Sequence, residues 1–205
     1  MDHQPRHEAD LKGRVLRDKG GFLSPVVSVV DHEGRPAVLK DYRKKNAVTR
    51  GLLAPSLVKR EFAVLKHLEG LPGIPKAYAI VEKRALLLEY IEGRTINKFK
   101  PGELPDRVFE RLCETVRAMH ARGVVHLDLR QRRNVLVRPG RHPAIVDFGS
   151  ALCLRPGSSL VARLGRIDRS GVLKYKRRAN PGVLTEDEAR TLRKVERRRS
   201  LWPFS

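Results

Sequence analysis

The chain of 205 residues is poor in the features that mark several protein classes. It holds only two cysteines, Cys113 and Cys153, far apart and without metal-ligand spacing. That argues against a disulfide scaffold or a zinc site and for a reduced, cytosolic compartment. No apolar run approaches the ~18 residues of a membrane span; the best, Ala85–Ile91, is broken by Glu89. The polar first ten residues offer no apolar core behind a basic start, so a secretory signal is not expected. Aromatics are 5% of residues, too few and too scattered for a base-stacking platform, which makes nucleic acid an unlikely primary partner. Acidic residues are also scarce, 23 against 43 Lys and Arg. The net charge of +20 favours phosphate-bearing partners without saying which.

What is present reads as an α+β protein. Pro25–Val30 and Pro36–Lys40 are β-branched, apolar runs around the turn Asp31–Arg35, a hairpin pattern. Val58, Phe62, Leu65 and Leu68 recur at helical spacing, with Gly70 as a stop signal. Two short strands follow, Ala77–Val81 and Ala85–Tyr90. After Gly93 the character changes. Leu104–Gly123 predicts an amphipathic helix whose core face is Val108, Phe109, Leu112, Val116 and Met119, with Cys113 beside it. Short apolar runs lie at Val124–Val125, Val135–Val137 and Ala144–Val146. The change at Glu92–Arg94 predicts two lobes, a β-rich one over residues 1–91 and a helix-led one over 92–205. Thr185 and Glu188 form a capping-box pattern for a last helix, acidic at its start and basic at its end.

Five fragments carry the chemistry. They are Lys40 in AVLK, Glu61 in the next helix, Leu88–Ile91, HLDLRQRRN at His126–Asn134, and DFG at Asp147–Gly149. Singly each has a bland reading: an edge charge, a surface acid, a turn tripeptide. Together, in this order, they resemble the protein kinase-like superfamily over roughly residues 12–155. The look is that of small bacterial members such as lipopolysaccharide sugar kinases, and of RIO-type kinases. The resemblance implies a two-lobed kinase-like fold with a β-rich N-lobe and a truncated helical C-lobe. It also implies an ATP-dependent kinase acting with Mg²⁺.

Under that resemblance Lys40 would reach the ATP phosphates and Glu61 would hold it. Asp147 would bind the magnesium and Asn134 would add a second contact. Asp128 would take or orient the proton of the acceptor hydroxyl. The adenine would lie between the lobes against Glu89–Ile91, with Glu89 and Ile91 offering backbone groups. Leu88 would limit the pocket's depth, and Ala37, Val38 and Leu136 would wall the ring. His126 is expected to brace the loop rather than carry protons.

Several departures stand out. The family's glycine-rich loop is reduced to Gly20 and Gly21 in DKGGFLS, still adjacent glycines that let backbone N–H groups approach phosphate. Asp128 and Asn134 are six positions apart where the common form has five, so a bulge at Gln131–Arg133 or an altered metal contact is expected. Leu127 replaces the Arg that answers a phosphorylated activation loop. Arg130 is either a contact to the transferring phosphate or one of a solvated cluster with Arg132 and Arg133. Only 56 residues follow Gly149, which points to a minimal phosphotransferase.

The acceptor would be Ser or Thr of a protein, or a sugar hydroxyl of a membrane glycolipid. The tail ends in Leu201–Trp202–Pro203–Phe204 after an Arg-rich helix. It either packs on the C-lobe or makes peripheral contact with an anionic membrane at its inner face. A nucleotide-binding pseudokinase without turnover is the alternative that the short glycine loop and long catalytic loop raise.

Overall fold

The computed structural model of the chain describes residues 13–17, 24–180 and 182–200. The expectations at Gly20, Gly21 and Leu201–Phe204 lie outside the described residues. The chain divides into two compact units, one reaching Lys66 and including Pro75–Tyr90, the other comprising His67–Ile74 and Ile91 onward.

The first unit is an antiparallel sheet of β1 (Val15–Arg17), β2 (Val26–His32), β3 (Arg35–Asp41), β4 (Ala77–Val81) and β5 (Ala85–Glu89), in the order β1-β2-β3-β5-β4. The β2–β3 hairpin closes through Glu33 and Gly34, both at positive φ, and Asp31 Oδ1 accepts from the Gly34 N–H at 3.1 Å. Such a two-residue turn matches the twist of its strands. β5 lies between β3 and β4 and is covered on both faces. It therefore reads as a continuous apolar run rather than an alternating one.

Helix α1 (Ala54–His67) follows a π-helical turn, Thr49–Leu53, whose entry is capped by Asn46 Oδ1 accepting from the Thr49 N–H at 2.9 Å. Its buried positions are Ala54, Val58, Glu61, Val64 and Leu65. Phe62, expected on that face, is half-buried, and Val64 takes the deeper place. The periodicity located the helix and three of the four positions it marked as inward, Val58, Leu65 and Leu68, but not the buried Glu61 and Val64 beside them.

The second unit is led by α2 (Asp106–Ala121), shorter at both ends than the sequence pattern. Pro105 has φ −70°, ψ 152° and starts the helix from extended backbone. Val108, Phe109, Leu112, Val116 and Met119 are all buried, each contributing about 1.5–3 kcal/mol of transfer free energy. Around it lie β6 (Arg94–Thr95), β7 (Val124–Val125), β8 (Val135–Val137), β9 (Pro143–Ile145) and β10 (Leu152–Cys153), in two small antiparallel sheets ordered β6-β8-β9 and β10-β7.

Helix α3 (Ser159–Ala179) was not expected from the sequence. Its run of arginines masks an apolar stripe, and it packs against both α2 and α4 (Glu186–Ser200). At the head of α4 the capping box forms as the pattern predicts: Thr185 N–H donates to Glu188 Oε2 at 3.0 Å, and Glu188 N–H to Thr185 Oγ1 at 3.2 Å. α4 packs through Leu192, which is buried. It is also tied to α3 by Lys176–Glu188 at 2.9 Å and Arg177–Glu196 at 3.0 Å. Among the described residues, no helix is long and apolar enough to cross a membrane.

Candidate functional site

In the first unit, β3 carries Lys40 and α1 carries Glu61. Lys40 Nζ lies 2.6 Å from Glu61 Oε1, and both side chains are more than nine-tenths buried. Two charges that deep persist only as a pair, since either alone would be stranded in low dielectric. Across β3 and β5, Lys40 is opposite Leu86, Val38 opposite Leu88, and Ala37 opposite Glu89. Glu89 ends β5, its N–H donating to Lys76 O at 2.9 Å and its carboxylate accepting from the Lys76 N–H at 3.0 Å.

In the second unit, the segment from His126 to Asn134 leaves β7 and returns through a single 3-10 turn at Arg132–Asn134. Within the segment, the Gln131 N–H donates to Asp128 O at 3.2 Å and the Asn134 N–H to Gln131 O at 3.0 Å. Asn134 is fully buried, and its Nδ2 donates at 3.0 Å to both the backbone O and Oδ2 of Asp128. Its Oδ1 is buried with no hydrogen-bond partner. The Val146 N–H donates to Asn134 O at 2.9 Å, so the residue before Asp147 is fastened to Asn134. Asp147 has φ 68°, a left-handed backbone that costs a non-glycine residue energy and turns the chain sharply into the 3-10 turn Phe148–Ser150. Burial raises the pKa of Asp128, as does the charge of Asp147. The Asn134 hydrogen bond and the Arg133 charge oppose the rise.

His126 is fully buried and braces the segment as expected. Its ring sits 3.2 Å from Val146 O by Nε2, accepts the Asp128 N–H at 3.3 Å by Nδ1, and meets Phe148 edge-on at 4.8 Å. Burial lowers its pKa despite the Asp168 carboxylate nearby, so it stays neutral. Arg130 is turned toward the helices: Nη1 donates to Ser170 Oγ at 3.1 Å, and Nη2 lies 4.0 Å from Glu196 Oε1. Arg132 and Arg133 are exposed.

The sequence reading missed Asp168 on α3. This buried carboxylate accepts from the His126 N–H (2.8 Å), the Leu127 N–H (2.7 Å) and His120 Nε2 (3.0 Å). Leu127, with φ 68°, is thereby held in a strained conformation. A signal existed: Asp168 is the lone acid between Gly149 and Thr185, set in an apolar stripe.

The residues present fit a magnesium ion. No cluster of three or more His, Cys, Asp or Glu gathers among the described residues. Mg²⁺ bound with a nucleotide needs only one or two protein oxygens beside phosphates and water. The orphaned, buried Asn134 Oδ1 is such an oxygen.

The protein kinase domain family matches residues 19–170. The chain belongs to that family. It is 30% identical over 112 residues to serine/threonine-protein kinase D of Synechocystis sp., covering 51% of this chain and 22% of that relative. It is 26% identical over 158 residues to CBL-interacting serine/threonine-protein kinase 19 of Arabidopsis thaliana, 71% of this chain and 32% of that one. This kinase-family chain thus spans a third or less of the length of these curated relatives. Among solved structures, the Rio2 kinase–ADP/Mg²⁺–phosphoaspartate complex of Chaetomium thermophilum aligns with a TM-score of 0.59 at 17% identity. That alignment covers 95% of this chain and 74% of that one, a shared kinase-like fold.

Proposed function

We propose that this kinase-family chain is an ATP-dependent phosphotransferase that moves the γ-phosphate to a hydroxyl. The observation that carries the reading is the Asp128–Asn134 pair, in which Asn134 has a spare buried Oδ1 and a backbone carbonyl that accepts from the N–H of Val146, the residue before Asp147. Asp128 takes the proton of the acceptor hydroxyl as its oxygen bonds to the γ-phosphorus and the bond to ADP breaks. Asn134 Nδ2 fixes which Asp128 oxygen faces the acceptor. Lys40, kept extended by Glu61, neutralises phosphate charge from the first unit. Asp147 and Asn134 Oδ1 would hold Mg²⁺, which supplies further charge neutralisation on the phosphates. Glu89 and Ile91 supply backbone groups to the adenine, and Gly20 and Gly21 supply N–H groups to phosphate.

The relatives' names favour Ser or Thr of a protein as acceptor, and a sugar hydroxyl is the competing class. Purified protein is incubated with labelled ATP and Mg²⁺, offering myelin basic protein in one arm and a bacterial lipopolysaccharide core in the other. Label transferred by wild type, and by neither Asp128→Ala nor Asp147→Ala, supports the reading, and the labelled arm names the class. Nucleotide binding with no transfer in either arm favours the pseudokinase.

A further inference from the structure

The loop that bears Asp128 is one residue longer than the common form, yet α3 grips it closely. Asp168 holds its start through the His126 and Leu127 N–H groups. Asn134 holds its end through the Asp128 backbone and carboxylate. Between those points the loop is held to itself by the Asp128 N–H, 3.3 Å from His126 Nδ1, and the Gln131 N–H, 3.2 Å from Asp128 O, and slack there moves Asp128. The peptide after Asp128 is fixed by a further tie. The hydroxyl of Tyr175, two helical turns beyond Asp168 on α3, donates to Leu129 O at 2.7 Å. Leu129 is fully buried, so without that donor its carbonyl would have no water to turn to. Tyr175 is buried as well, and burial raises its pKa, which keeps it a donor.

Gly171 lies one turn before Tyr175 on α3. A Cβ there would sit 2.9 Å from Leu129 C and 3.1 Å from Arg130 N. The helix backbone therefore comes against the loop at the same peptide that Tyr175 holds. Ser170 accepts from Arg130 just beyond it. Downstream of this grip, Gln131 leads into the 3-10 turn Arg132–Asn134.

We propose that Tyr175 is a positioning residue for phosphoryl transfer: its hydroxyl seats the lengthened loop on α3 through the Leu129 carbonyl and so fixes where Asp128 stands. This rests on the kinase reading above. Tyr175→Phe keeps the ring and removes the donor. Lys40 and the metal-holding residues are untouched, so nucleotide affinity is unaffected while the reacting geometry loosens.

The test measures kcat and KM for ATP with the acceptor labelled above, and hydrogen exchange of the 124–134 segment by mass spectrometry. In Tyr175→Phe, kcat falls about tenfold, as small displacements of reacting groups produce. KM for ATP stays within about twofold, and exchange in 126–131 accelerates while that of α2 does not. Gly171→Ala, which pushes the same peptide from the helix side, gives the same split. A Tyr175→Phe protein with kcat within about twofold of wild type, or with unaltered loop exchange, overturns the proposal. So does a loss of rate accounted for entirely by a smaller folded fraction. If wild type transfers nothing, the kinase reading has failed, and exchange alone decides whether Tyr175 seats the loop.

Discussion

Lys40 and Glu61, separated by 21 residues in sequence, meet at 2.6 Å in the interior of the first unit. The pair costs desolvation on both sides, and its removal by halves costs more. Glu61→Ala takes from the buried Lys40 ammonium the carboxylate that lies 2.6 Å from it. We expect a loss of about 3–5 kcal/mol in urea unfolding of this variant, and a smaller one for Lys40→Met with Glu61→Leu together. A double variant as unstable as Glu61→Ala would refute that account.

Gly123, at φ 78°, follows α2 where the chain passes beneath Leu154, and a Cβ there would fall on the Leu154 carbonyl. Gly123→Ala should cost more than about 2 kcal/mol, combining left-handed strain with a backbone displacement. Gly34→Ala, also at positive φ but with open space around it, is the control and should cost about 1 kcal/mol. Thermal unfolding of the two variants side by side checks the order.

His126 makes stability depend on pH near neutrality. Burial depresses its pKa below the ordinary 6.5, so the unfolded chain takes up a proton there that the folded chain refuses. The stabilisation is present in full above pH 6.5 and declines as pH falls through the folded value. Urea midpoints measured between pH 7.5 and 5.5 should fall, and His126→Gln should flatten that slope.

At the head of α4, burial alone would raise the pKa of Glu188, but the Lys176 ammonium and the Thr185 N–H outweigh it and bring it below the ordinary 4.5. This contribution is complete above pH 4.5 and is lost as pH drops through the folded value. Thr185→Ala removes the Oγ1 half of the reciprocal cap and should cost about 1 kcal/mol at neutral pH. A helical signal and stability equal to wild type would show that α4 is held by α3 alone.

Much of this was legible in the sequence. The β2–β3 hairpin, α2 and the capping box came from periodicity and turn chemistry, which are local properties. The Lys40–Glu61 pair came from motif order, which also picked out Asp128 and Asn134 but not the contact between them. Neither residue's depth was legible, because burial of a charge depends on a partner distant along the chain. Asp168 and Tyr175 were missed for that reason too. Each acts on a backbone atom more than 40 residues away, and a backbone atom leaves no mark in the sequence of its partner. The arginines of α3 added to the difficulty by lowering its mean hydropathy while the inner stripe stayed apolar.

Treatment with phosphatase should leave activity unchanged. Leu127 stands where an arginine would answer a phosphate, and its N–H is already engaged by Asp168. Radiolabel transfer before and after such treatment decides the point; an activity abolished by the enzyme and restored by rephosphorylation refutes it.

Between the 3-10 turn ending at Ser150 and the first residue of α3 there are only eight residues, two of them paired with β7 and the next lodged against Gly123. So short a bridge leaves only residues 155–158 between its last tie, at Leu154, and the head of α3, which is little chain for a control segment to occupy.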